Sequence, residues 1–142
     1  MIELRVAGKA TTKQRQRFDP RTRRAYTPPS NIIGENDVRA IWREAGEPRL
    51  QADAAVSIEI TIVVPRPNSH FRKNGDLSSE GLRHPIPRNK KPDLDNALKL
   101  VMDALNSRAY KDDVLVARAV LERRWAEPGG WPETLIRLNE LP

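Results

Sequence analysis

Residues 56–64 read Val-Ser-Ile-Glu-Ile-Thr-Ile-Val-Val, with Val56, Ile58, Ile60, Ile62 and Val64 on one parity. Ser57, Glu59, Thr61 and Val63 occupy the other. A period of two is the mark of a half-buried strand, because successive side chains point to opposite faces. The β-branched residues suit a pleated surface, and Pro65 ends the run because it cannot donate to a ladder. A strand this apolar must be paired at its edges and covered on its face. The chain therefore has to build a sheet with something packed against it.

Residues 93–106 supply the cover. Leu94, Ala97, Leu98, Val101, Met102 and Leu105 fall at i, +3, +4, +7, +8 and +11, an amphipathic helical stripe. Pro92 sets the start and Asp93 is a candidate N-cap. A second helix is predicted from a Ser30 cap to about Ala45, with Ile33, Val38, Ile41 and Trp42 on its apolar side and Gly46 as its stop. Residues 1–6 alternate like a strand, and 114–125 and 134–138 also read as strands. Gly129-Gly130 between the last two predicts an antiparallel hairpin. The expected order is β-α-β-α-β-β. The expected class is α+β: two layers, a mixed β-sheet with two helices packed on one face. No repeat or linker divides the chain, so 1–142 is expected to be a single domain.

The 142 residues contain no Cys and two His. That excludes a disulfide framework, a thiolate nucleophile and a thiolate zinc site. A catalytic metal would need oxygen ligands, which favours Mg²⁺ or Mn²⁺. No apolar run approaches the ~20 residues of a membrane span, and residues 1–6 lack the apolar stretch of a signal peptide. A soluble, cytoplasmic protein is expected. No Gly-rich phosphate-binding motif is present, so no nucleotide cofactor is expected.

The formal charge is +6 and the pI about 10.1, which suggests a polyanionic partner. Residues 5–24 hold eight basic side chains against one acid, Asp19. A second basic region, 65–91, is rich in Pro and Gly and is expected to be a flexible loop that orders on a phosphate backbone. Candidate DNA contacts are Lys13, Arg15, Arg17, Arg72, Lys73, Arg88, Lys90 and Lys91. Phe18, Tyr26 and Phe71 are interleaved with these charges. Phe71, between His70 and Arg72, is the preferred base-stacking candidate. His70 and His84 read as surface loop residues, although a general-base role is conceivable.

The acids are placed differently. Asp93 and Asp95 open the predicted helix, with Lys99 and Asp103 one and two turns above Asp95. Asp112 and Asp113 follow a short turn. If the next strand pairs beside the helix start, three or four carboxylates converge. Converging carboxylates raise each other's pKa unless a cation compensates. Two or three Asp with open positions suit a Mg²⁺ phosphodiesterase site, and Lys99 is placed to stabilise the charge of the transition state. Taken singly, the same residues also serve as helix caps, an i,i+4 ion pair and turn formers.

The stretch Lys91-Pro92-Asp93-Leu94-Asp95-Asn96-Ala97-Leu98-Lys99, then Asp103-Ala104-Leu105-Asn106 and Lys111-Asp112-Asp113-Val114, resembles the signature of the RusA family of Holliday-junction resolvases. The match spans about residues 91–116. Arg15-Gln16-Arg17-Phe18 and Tyr26-Thr27-Pro28 resemble a basic-aromatic segment of the same family, with Gln16 where proline is frequent. Ala97 replaces a common leucine. The resemblance implies a homodimeric, Mg²⁺-dependent endonuclease, bacterial or prophage-encoded, that nicks four-way DNA junctions in symmetric pairs. It implies Asp93, Asp95 and Asp113 as metal-binding acids and Lys99 as the essential lysine. Asp103 and Asp112 are second-rank candidates. A two-fold symmetric substrate and one acid cluster per chain also argue for a C₂ dimer. The alternatives are a non-catalytic basic nucleic-acid-binding module and a nuclease acting on other branched DNA.

Overall fold

Strand β4 (Val56–Val64) lies inside the main sheet of the computed structural model, which describes residues 1–11, 13–88 and 93–142. The other strands of that sheet are β1 (Ile2–Ala7), β5 (Val116–Trp125) and β6 (Glu133–Glu140), in the order β1-β6-β4-β5. β6 runs antiparallel to both neighbours, with Ile136 opposite Leu4 and Ile60. β5 runs parallel to β4, with Leu121 opposite Ile60. The sheet is mixed, as expected. The expected hairpin of the last two strands is not formed, because β4 lies between them.

The reason is burial. Val56, Ser57, Ile58, Ile60, Ile62 and Val63 are all buried, so both faces of β4 avoid water and both of its edges are best paired. β5 is solvent-exposed over most of its length and tolerates the sheet edge. The turn signal was local and real: Gly130 N–H bonds Glu127 O at 2.7 Å and Gly129 has φ +74°. That turn carries the chain past the end of β4, where Ala126 N–H bonds Val64 O at 2.8 Å.

Two helices, α1 (Pro29–Glu44) and α3 (Leu94–Leu105), pack on one another and on the apolar face of the sheet. α3 follows its expected stripe, burying Ala97, Leu100, Val101, Ala104 and Leu105. Arg39 of α1 donates to Ala104 O at 3.2 Å and Asp103 O at 3.4 Å. It thereby satisfies carbonyls at the end of α3 that have no partner within the helix. α1 departs from its expected face. Asn31, Gly34, Val38 and Trp42 are buried, while Ile33 is 60% exposed. It also starts on Pro29, pre-set in φ, with no side-chain cap, so Ser30 is not the N-cap. Two positions of the inner face are given to a polar residue and a glycine: Asn31 bonds the Gln14 backbone, and Gly34 leaves room for the Thr11 and Leu100 side chains.

Five short elements were not expected. β2 (Arg17–Asp19) and β3 (Arg24–Tyr26) form a separate small hairpin. A one-turn helix, α2 (Ser79–Arg83), and a 3-10 turn at Asn68–His70 lie within the basic loop. Another 3-10 turn, Asp113–Leu115, precedes β5 where a strand was expected from Val114. No helix among the described residues is long and apolar enough to cross a membrane.

The loop from 65 to 88 is tied to the end of β5. Arg66 Nη1 donates to Gly81 O at 3.0 Å and His84 O at 3.3 Å, and its guanidinium lies 5.2 Å from the Trp125 ring centre. Trp125 Nε1 donates to His84 O at 2.7 Å. His70 is buried and stacked on His84. A Cβ on Gly81 would collide with the His70 carbonyl, so glycine is required where α2 meets the 3-10 turn.

Candidate active site at the start of helix α3

Asp93 and Asp95 flank the first residue of α3, and both side chains are exposed. Asp93 occupies the N-cap position, yet its carboxylate makes no capping bond to a backbone N–H. It accepts instead from Asn96 Nδ2 at 3.2 Å. Simple capping therefore does not account for Asp93. Asp95 sits within hydrogen-bonding reach of it. That contact first, then Lys99 and the Asn96 backbone, holds the Asp95 carboxyl below its ordinary range against some desolvation. Lys99 Nζ lies 3.6 Å from Asp95 Oδ2. Two adjacent carboxyls and one ammonium thus share an open ledge at the positive end of a helix.

The later acids are held differently. Asp112 accepts from Val114 N–H at 2.9 Å and caps the 3-10 turn, a structural role. Asp113 Oδ1 accepts from the buried Tyr110 hydroxyl at 2.7 Å, and that hydroxyl also bonds the Met102 carbonyl of α3 at 3.2 Å. Tyr110 therefore links Asp113 to the helix that carries Asp93 and Asp95. Burial, then the bond to Asp113 and the charges of Asp113 and Asp112, push the Tyr110 phenol well above its ordinary value of 10.0. Asp103 is paired with Lys13. Among the described residues, no group of three or more His, Cys, Asp or Glu is arranged to hold a metal ion.

Replacing Tyr110 by Phe is expected to cost about 1.5–3 kcal/mol near neutral pH, the typical worth of a hydrogen bond to a charged group. The raised phenol pKa fixes the pH dependence. The stabilisation is fully present below the unfolded-state pKa of about 10 and is lost as pH rises beyond it. Thermal melts of both proteins from pH 7 to 11 should show the gap closing above pH 10. A constant gap would contradict the Tyr110–Asp113 bond.

The donor set present fits a hard cation. Mg²⁺ is usually held by one or two carboxylates, waters and substrate phosphate rather than by a full protein cage. The exposed Asp93–Asp95 pair has the donor chemistry of such a partial site.

Beside this ledge opens a cleft of about 620 Å³, bounded by the 13–16 segment, α1 and the first turn of α3. Arg15 and Gln16 line it together with Asn96 and Lys99. Arg15, Arg17, Arg72, Lys73 and Arg88 are exposed. Arg17 bonds Gln14 Oε1 at 3.1 Å. Lys90 and Lys91 lie outside the described residues. Phe71 is half-buried and its backbone bridges Leu77. Phe18, on the small hairpin, is 63% exposed and is the more accessible aromatic. Its pairing partner Ala25 and the left-handed Arg23 of the turn are weak sequence signals, which is why the hairpin escaped notice. Arg66, within the basic region, has its guanidinium engaged inside the loop.

The family model for endodeoxyribonuclease RusA matches residues 7–137. The chain belongs to the RusA family. The match takes in the 13–16 segment, both packed helices and all five candidate acids at Asp93, Asp95, Asp103, Asp112 and Asp113. The chain is also similar to the uncharacterized protein YqaN of Bacillus subtilis, 35% identical over 88 residues. That alignment covers 61% of this chain and 58% of YqaN.

Proposed function

We propose that the chain is a Mg²⁺-dependent endodeoxyribonuclease, with Mn²⁺ as a possible substitute, that resolves four-way DNA junctions by paired symmetric nicks as a homodimer. The observation that carries the reading is the exposed Asp93–Asp95 pair, free of backbone capping at Asp93, with Lys99 one turn above Asp95 and also on the lining of a cleft that holds Lys13 and Arg15. Family membership supports the nuclease chemistry.

Asp93 and Asp95 would hold the metal, with Asp113 as a third candidate ligand. When bound, the ion would neutralise and polarise a phosphodiester and ease ionisation of the attacking water. The chain's own groups account for the rest. Asn96 orients the Asp93 carboxylate through its side-chain amide. Lys99 holds a fixed positive charge where the transition-state phosphate accumulates negative charge. Tyr110 fixes the rotamer of Asp113. The exposed arginines at 15 and 17 hold the DNA backbone beside the ledge. Each chain offers one such ledge, so two opposed cuts require two chains related by the two-fold axis of the junction.

The test is cleavage of four-way, Y-shaped and linear duplexes of the same sequence. With Mg²⁺, the four-way junction should be cut and the linear duplex left intact. Preference for the Y-shape would redirect the reading to flap-like substrates. Tight binding with no cleavage by any divalent ion would leave a non-catalytic DNA-binding module.

A further inference from the structure

Asn31 is a polar side chain only 1% exposed, on the inner face of α1. Both ends of its amide engage the backbone of one residue. Asn31 Oδ1 accepts from Gln14 N–H at 2.8 Å, and Asn31 Nδ2 donates to Gln14 O at 2.9 Å. This mimics a pair of sheet hydrogen bonds and fixes the amide orientation, since either flip would oppose like groups. One residue earlier, Lys13 N–H bonds Asn96 O at 3.1 Å in the first turn of α3, and the Lys13 ammonium pairs with Asp103.

A second, independent feature lies one turn further along α1. A Cβ on Gly34 would stand 2.6 Å from Thr11 Cγ2 and 2.9 Å from Leu100 Cδ1. The missing side chain at Gly34 leaves room for the Thr11 and Leu100 side chains at the seam of the segment, α1 and α3. Asn31 and Gly34 are three residues apart on one helical face, so α1 devotes that face to seating this backbone segment.

We propose that Asn31 is a positioning residue: it fixes the backbone at Gln14 so that Arg15 and Gln16 line the same cleft as Asn96 and Lys99. The cleft then receives one strand of the DNA, phosphates against Arg15, next to the bond to be cut. This rests on the nuclease reading for the identity of the ligand. Lys13 is a tie between the segment and α3 rather than a free phosphate contact. Arg15, the next basic residue, carries the binding charge. Asn31 is 1% exposed and both ends of its amide are engaged by Gln14, so its effect passes through the segment.

The experiment is a double-mutant cycle on binding of a four-way junction assembled from four synthetic oligonucleotides, in EDTA so that no cutting occurs. Arg15→Ala alone is expected to weaken binding about 5–10-fold. In an Asn31→Ala background the same change should matter less than 2-fold, because Arg15 is no longer held in place. Lys73→Ala, on the distant loop, should cost the same in both backgrounds. If Asn31→Ala does not fold, Asn31→Asp, which keeps the acceptor but sets a carboxylate against Gln14 O, takes its place in the cycle. Equal effects of Arg15→Ala in both backgrounds overturn the proposal, as does no effect of Arg15→Ala in the native chain. Coupling of Asn31 to Lys73 as large as to Arg15 also overturns it, since that is general destabilisation. A native chain with no affinity for the junction overturns the nuclease reading itself, a result distinct from all of these.

Discussion

Asp95→Asn is expected to reduce Mg²⁺-dependent junction cleavage by at least about 10³-fold while leaving junction affinity unchanged or slightly tighter. The substitution keeps size and hydrogen-bonding capacity but removes one of two adjacent negative charges. Asp95 is exposed and its interactions with Asp93 and Lys99 are at the surface, so folding should be nearly untouched. Affinity should hold or rise because a negative charge has been removed beside a polyanion. Asp103→Asn is the informative comparison. Its carboxylate is engaged by Lys13, so its loss should loosen the 13–16 segment and act mainly on binding. Single-turnover cleavage and binding measured side by side separate the two. Normal cleavage by Asp95→Asn would remove the carboxylate pair from the chemistry.

Ile60→Ala is expected to be the costliest single change to the fold. Ile60 is 1% exposed at the centre of β4, between Ile136 and Leu121 on the neighbouring strands and beneath the helices. Truncating a buried Ile removes its transfer free energy and leaves a cavity, typically about 2–5 kcal/mol. Against a total stability of roughly 5–15 kcal/mol, that should lower the melting temperature by on the order of 10 °C. Val120→Ala, on the exposed edge strand, should stay within about 1 kcal/mol of the native chain. Melting curves of both variants make the comparison. Equal small losses would mean that β4 is not the centre of the core.

The sequence announced β4 and α3 because their patterns are local: a period of two ended by proline and a 3.6-residue stripe after Asp93. It could not announce which strand neighbours which. Gly129-Gly130 marks a turn correctly, but the partner of β5 is decided by the need of β4 for two paired edges, a property of the assembled sheet. The same distinction applies to α1. Ile33 looked like a core residue from spacing alone, whereas the true inner face carries Asn31 and Gly34 to seat a segment some twenty residues earlier in the chain.

The candidate site divides the same way. Asp93, Asp95 and Lys99 were legible because one helix turn spaces them. The separate roles of Asp112 and Asp113 were not, because they depend on a 3-10 turn and on the buried Tyr110 hydroxyl. Arg66, within the basic region, bonds carbonyls of the loop, and the Lys13 candidate is also paired with Asp103. Basic residues counted along a sequence overstate the binding surface when some are structural ties.

The most direct measurement is a map of the cuts on a four-way junction with each of its four strands labelled in turn, with Mg²⁺ and with EDTA. The account predicts nicks only with Mg²⁺, at two positions related by the two-fold axis, on opposite strands, yielding two duplexes that ligase can seal. Cuts that persist in EDTA, or Mg²⁺-dependent cuts scattered over all four arms and equally over linear duplex, would contradict it.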